Sequence, residues 1–251
     1  MADKKYLYGR FACKTDVGRV RIANEDQALA LINTRGNVLL LVCDGMGGSN
    51  KGDFASALAK KHIHDAFLAK DRFWNKLDAH HFVGKAVRGA NKIIYDNACK
   101  NERYKGMGTT LTLVLIVGTY MVTAQVGDSR AYSLHNRILD QLTEDQTYVA
   151  YLYRTGKIKK EEMATHPQRH VLMNSLGYYP SLELDVKIRP YNNETIFLCS
   201  DGLYNNVPER DIATVLSGSD SPDQKTTQLI ALANANGGSD NIAVVVWEAD
   251  K

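Results

Sequence analysis

Four aspartates stand at the ends of short apolar runs. Asp44 follows VLLLVC and opens DGMGG, and Asp128 follows MVTAQVG and opens DSR. Asp201 follows TIFLCS and opens DGL, while Asp240 and Asn241 directly precede IAVVVW. Each run is short, rich in β-branched residues and bounded by Gly or polar residues, which predicts a buried strand. A strand end holds a side chain rigidly at one edge of a core. Carboxylates gathered at one such edge repel each other unless cations neutralise them. Oxygen-only donors select a hard divalent ion, Mg²⁺ or Mn²⁺. Taken singly, an Asp-Gly after a strand is only a turn; the repetition of the pattern is what points to chemistry.

Other chemistries find less support. His62 and His64 are two apart on a predicted helix and face different directions, and His80 and His81 are adjacent. His166 and His170 have i, i+4 spacing, but Pro167 lies between them and no third soft ligand is near, so a zinc site is not expected. The glycine-rich GMGGSNKG lacks the Gly-Lys-Ser/Thr of a phosphate-binding loop, and Asn50 breaks a G-x-G-x-x-G reading. Cys13, Cys43, Cys99 and Cys199 form no C-x-x-C pair; Cys43 and Cys199 sit in apolar runs, as small buried thiols of a reduced, cytoplasmic protein would.

Composition sets wide bounds. A chain of 251 residues with 44% hydrophobic and 24% charged residues is long enough for one large domain. A net charge of +3, without blocks of like charge, gives no reason to expect nucleic acid as a partner. MADKKYLYGR has no apolar signal core, and the apolar runs are too short to span a membrane.

The elements that must position the aspartates follow from periodicity. Residues 28–33 and 37–43 read as a hairpin around NTRGN, and 109–117 and 120–126 as another around Gly118-Thr119. Strands over 130–134 and 137–142 continue the meander, and further strands fall at 182–189, 194–200 and 242–248. Helical spacing of apolar residues marks 52–69 and 80–99, with further helices near 146–155 and 224–235. Hairpin-linked strands imply antiparallel sheets covered by helices, an α+β fold.

Eight segments, in order, carry a resemblance. TDVGRVRIANED, DGMGGSNKGDFAS, GMGTTLT, VGDSRAY, LTEDQTYV, HPQRHVLMNSLG, LCSDGLYNNV and GGSDNIAVVV together resemble the metal-dependent serine/threonine protein phosphatases of type 2C (PPM), in their compact bacterial form. The resemblance runs from about Thr15 to Val246. It implies a four-layer αββα sandwich of two antiparallel sheets flanked by helix pairs, a single catalytic domain over residues 1–251, and a mobile flap at about 143–181. It implies hydrolysis of phosphoserine and phosphothreonine by direct attack of a hydroxide that bridges two divalent cations, Mn²⁺ or Mg²⁺. Asp44 matches the bridging carboxylate and Gly45 the backbone carbonyl ligand. Asp201 and Asp240 match ligands of the first metal, Glu25 matches a ligand of the second, and Asp26 matches a residue that holds metal-bound water. Asn241 would orient its neighbour from behind. Arg21, which alone reads equally as a surface ion pair, matches the phosphate-binding arginine, and a guanidinium can engage two phosphoryl oxygens at once.

The resemblance also implies a third, weaker ion held through Asp128 and Asp201. Its remaining position is Asn205, which offers an oxygen but no charge, so this site should be poorly occupied; the alternative is that Asn205 only caps a turn. Met46 stands where some relatives carry a candidate acid histidine. The implied partners are phosphorylated proteins, substrates of a cognate serine/threonine kinase, met by a monomeric cytoplasmic enzyme. Two other readings compete: an inactive phosphoprotein-binding scaffold, which should have lost metal carboxylates, and a hydrolase of some other phosphoester.

Overall fold

The computed structural model describes residues 8–47, 51–70 and 72–250. The chain opens with strand β1 (Gly9–Asp16), then β2 (Gln27–Ile32), β3 (Val38–Cys43) and the two-residue β4 (Gly45–Met46). Helices α1 (Lys51–Ala69) and α2 (Lys76–Lys100) follow, and then β5 (Gly108–Thr109), which pairs with β4. A meander comes next: β6 (Leu111–Val117), β7 (Tyr120–Val126), β8 (Arg130–His135) and β9 (Ile138–Gln141). Short helices α3 (Tyr148–Arg154) and α4 (Lys160–Met163) precede β10 (Asp185–Pro190) and β11 (Thr195–Cys199). Helices α5 (Asp201–Tyr204), α6 (Glu209–Leu216) and α7 (Pro222–Ala235) lead to β12 (Ile242–Ala249).

Two five-stranded sheets result, ordered β1-β12-β11-β8-β9 and β10-β7-β6-β3-β2, with every pairing antiparallel. Side chains on successive strand residues point to opposite faces, and the central strands use both. From β3, Val38, Leu40 and Val42 enter the core between the sheets, where Ala243, Val245 and Trp247 of β12 meet them. Leu39, Leu41 and Cys43 face the other way, against Ala55, Ala59 and Ile63 of α1 and Val83, Val87 and Ala90 of α2. Val244 and Val246 of β12 turn outward onto Ile212 and Leu216 of α6 and Leu229 of α7. Three apolar layers thus separate four structural layers, helix–sheet–sheet–helix.

Several boundaries differ from the sequence expectation for local reasons. α2 starts at Lys76 rather than 80 because the Asn75 side chain accepts hydrogen bonds from the Leu77 and Asp78 amides at 2.9 and 3.0 Å. β1 has no counterpart in the periodicity reading; as a sheet-edge strand it fully buries only Ala12. The stretch 143–181 holds a second short helix and is pinned at both ends. Gln146 donates its amide to the Gly127 carbonyl at 2.9 Å, and Leu176 pairs with Thr109 through two backbone bonds.

Candidate active site

Every predicted acid emerges at one edge of the double sheet. Asp44 joins β3 to β4, Asp128 lies between β7 and β8, and Asp201 is the first residue of α5 after β11. Asp240 and Asn241 lead into β12, and Glu25 and Asp26 lead into β2. They surround a cleft of about 1760 Å³ that is lined also by Arg21, Gly45 and Asn205. Asp26 lies beneath its floor, 1% exposed.

Small hydroxyl groups fix this edge. The Ser200 hydroxyl donates to Asp26 Oδ2 at 2.6 Å and accepts the Ala243 amide at 2.8 Å. The Thr110 hydroxyl accepts the Asp44 amide at 2.9 Å and shares a hydrogen bond with Ser129 at 2.8 Å. Asn241 clasps the loop before β2: its Oδ1 accepts the Glu25 amide at 2.8 Å, and its Nδ2 donates to the Val17 and Ala23 carbonyls, both at 2.9 Å. The Gly52 amide donates to Glu25 Oε1 at 3.2 Å. Gly45 has a packing role besides the one expected, because a Cβ there would collide with the Gly52 and Glu25 backbones.

The electrostatics are those of crowded acids. Removal from water, then the repulsion of Asp201 and Asp240, raises the pKa of Asp26 to about 8 against the pull of the Ser200 hydrogen bond. Burial and Asp201 likewise raise Asp128 to about 7. Asp44 is pushed well above the carboxylate range by burial and by Asp26 and Asp201, and Asp201 is raised by burial and Asp240. Among the described residues, no three His, Cys, Asp or Glu side chains are arranged closely enough to hold a metal ion as they stand. Instead, Arg21 pairs with Asp240 Oδ2 at 2.8 Å, and Asn205 donates its Nδ2 to Asp201 Oδ2 at 3.1 Å. The Asp240 partner raises the Arg21 pKa further. Two buried oxygens, Asp26 Oδ1 and Asp201 Oδ1, have no hydrogen-bond partner. Unpartnered, mutually repelling hard oxygens fit a pair of hard divalent cations.

One network at the site has no counterpart among the residues singled out from the sequence. Arg130 donates to both Asp145 carboxylate oxygens, at 3.0 Å from Nε to Oδ1 and 2.7 Å from Nη2 to Oδ2. Its guanidinium lies over the Tyr204 ring at 3.6 Å, and the Tyr204 hydroxyl donates to the Asp128 carbonyl at 3.1 Å. Burial works against the charge on Arg130, but Asp145 outweighs it and the pKa rises. The root of the 143–181 stretch is thereby tied to the backbone of an acid in the site. An arginine two residues after a strand-end aspartate is the only sequence hint of this.

A double antiparallel sheet with an acidic cleft at one edge defines a class, and sequence comparison specifies it. The chain belongs to the protein phosphatase 2C family, whose pattern it matches over residues 19–241. The serine/threonine phosphatase Stp of Listeria monocytogenes is 37% identical over 238 residues, 94% of each chain. The crystal structure of Stp1 from Staphylococcus aureus superimposes with a TM-score of 0.91 at 32% identity, covering 100% of this chain and 98% of that one. The catalytic domain of the phosphatase PstP, solved in complex with two manganese ions, gives a TM-score of 0.85 at 31% identity, covering 97% of this chain and 99% of that domain.

Proposed function

We propose that this protein is a Mg²⁺- or Mn²⁺-dependent phosphatase that removes phosphate from phosphoserine and phosphothreonine in proteins. The observation that carries the reading is the set of buried, crowded carboxylates at one sheet edge, with unpartnered oxygens at Asp26 and Asp201. Two bound cations would supply a water of lowered pKa and charge neutralisation for the phosphoryl group. Asp44, central among the acids, would be shared by both ions, with Asp201, Asp240 and the Gly45 carbonyl on one and Glu25 on the other. Asp26 would orient water from below, itself held by Ser200. Asn241 keeps Glu25 in place through the backbone. Arg21, more than half exposed and now on Asp240, is free to turn its remaining donors to phosphoryl oxygens.

The whole chain, residues 1–251, would act as one catalytic domain, with 143–181 as its flap. Its substrates would be the products of a cognate serine/threonine kinase, met as a monomer in the cytoplasm; among the described residues no helix is long and apolar enough to cross a membrane. The relatives named Stp and PstP are themselves described as serine/threonine phosphatases, which supports the substrate class. The test is turnover of p-nitrophenyl phosphate and phosphothreonine peptides with Mn²⁺ or Mg²⁺. Activity should vanish with EDTA and return with added metal. Arg21→Ala should lower kcat/KM by about 10- to 100-fold, as removal of one charge-assisted contact does, while activity still depends on added metal. Full activity after exhaustive chelation would refute the metal-dependent reading.

A further inference from the structure

The acidic floor leaves part of the cleft wall unexplained. On the β1–β2 loop, Ile22 and Val20 flank Arg21 with 102% and 66% exposure, and both line the cleft. A second segment, between α4 and β10, adds Met173, Tyr178 and Tyr179 to the same surface, at 54%, 56% and 62% exposure. Scattered exposed apolar residues are ordinary on a protein surface. Five that line one concave surface around a catalytic floor form a patch of the kind that marks a binding groove. Ile22 carries no packing role that would account for its type.

The neighbouring charges identify the occupant. Arg21 and Arg169, both lining the cleft, set cationic groups beside the apolar ones, while the floor is acidic. The phosphate of a substrate would meet the arginines and any bound cations, which leaves the exposed apolar side chains to the residues beside it. The combination fits a phosphorylated peptide whose neighbouring side chains are apolar.

We propose that Val20 and Ile22 on one lip, and Met173, Tyr178 and Tyr179 on the other, hold large apolar side chains beside the phosphorylated residue, so that the enzyme selects phosphorylation sites with apolar rather than small polar flanks. This rests on the phosphoprotein phosphatase reading and names the sequence class of its substrate. Covering one such side chain is worth about tenfold in affinity.

The test uses the Mn²⁺-loaded full chain and three substrates: a phosphothreonine peptide with Leu and Val flanks, one of equal charge with Ser and Gly flanks, and p-nitrophenyl phosphate. The wild type should favour the apolar-flanked peptide by about tenfold in kcat/KM, mainly through KM. Ile22→Ser should remove several-fold of that preference and Ile22→Leu should retain it, with p-nitrophenyl phosphate turnover unchanged for both. Tyr178→Ser should act in the same direction from the other lip. Equal turnover of the two peptides by the wild type would overturn the inference, as would an Ile22→Ser loss of equal size on p-nitrophenyl phosphate. Turnover of p-nitrophenyl phosphate with neither peptide cleaved would instead overturn the phosphoprotein reading, and the inference with it.

Discussion

Asn205 is the residue at which this chain departs from the pattern it resembles. It ends α5, where its amide N–H bonds back to the Asp201 carbonyl at 3.0 Å, and its side-chain Nδ2 faces Asp201 Oδ2. Its donor, not its oxygen, therefore points at the acid it would have to assist in holding a third ion. Restoring a charge should strengthen that site. Asn205→Asp is expected to lower the Mn²⁺ concentration for half-maximal activity; an unchanged metal titration by a normally folded variant would mean that Asn205 serves only the helix end. At this scale the sequence is informative where chemistry demands a charged side chain, as at Asp44, Asp201 and Asp240. It is silent on Thr110, and it marks Ser200 only as a small packing or hydrogen-bonding neighbour of Asp201, without its partner Asp26, because such hydroxyls are common throughout any protein.

Among the elements, the strands buried on both faces are the plainest in the sequence, and the hairpin turns reveal most of the others, but β1 and α6 escape. β3 and β12 are buried on both faces and read as unbroken apolar runs. β1 fully buries one residue of eight, and α6 buries only Ile212 and Leu216, so neither shows a period long enough to detect. Nor can spacing reveal that Arg130 and Asp145, 15 residues apart, meet as a mostly buried pair that ties the 143–181 stretch to Asp128 through Tyr204. Asp145→Asn would leave that guanidinium with only the more distant Glu209, 3.8 Å from Nη1, as its counter-charge. The loss should be about 2–3 kcal/mol in urea unfolding, discounted for partial exposure. It should be accompanied by a higher Mn²⁺ requirement, because the Asp128 backbone loses its brace. A stability loss with an unchanged Mn²⁺ requirement would reduce the network to packing.

The molecule as a whole carries an electrostatic debt at one edge. Asp26 and Asp128 keep their protons in the fold up to about pH 8 and about pH 7, but ionise near the ordinary value of 3.8 once unfolded. Between those limits the folded state binds more protons than the unfolded one, so stability falls as pH rises. For metal-free protein, Tm should decline from about pH 5 to about pH 8, and excess Mn²⁺ should abolish the decline by binding the ionised acids of the native state. A Tm that rises across that window without metal would show that these carboxylates are paired in a way the structure does not contain.

The central claim, that the acids at this edge are assembled to share two cations around Asp44, is tested most directly by anomalous scattering at the manganese edge from crystals grown with Mn²⁺. Two peaks about 3.5–4 Å apart are expected beside the Asp44 carboxylate, one within reach of Asp201 and Asp240 and the other of Glu25. Asp44→Ala crystals should lose at least one of the two. Phosphatase-active crystals with no anomalous peak within coordination distance of Asp44 would contradict it.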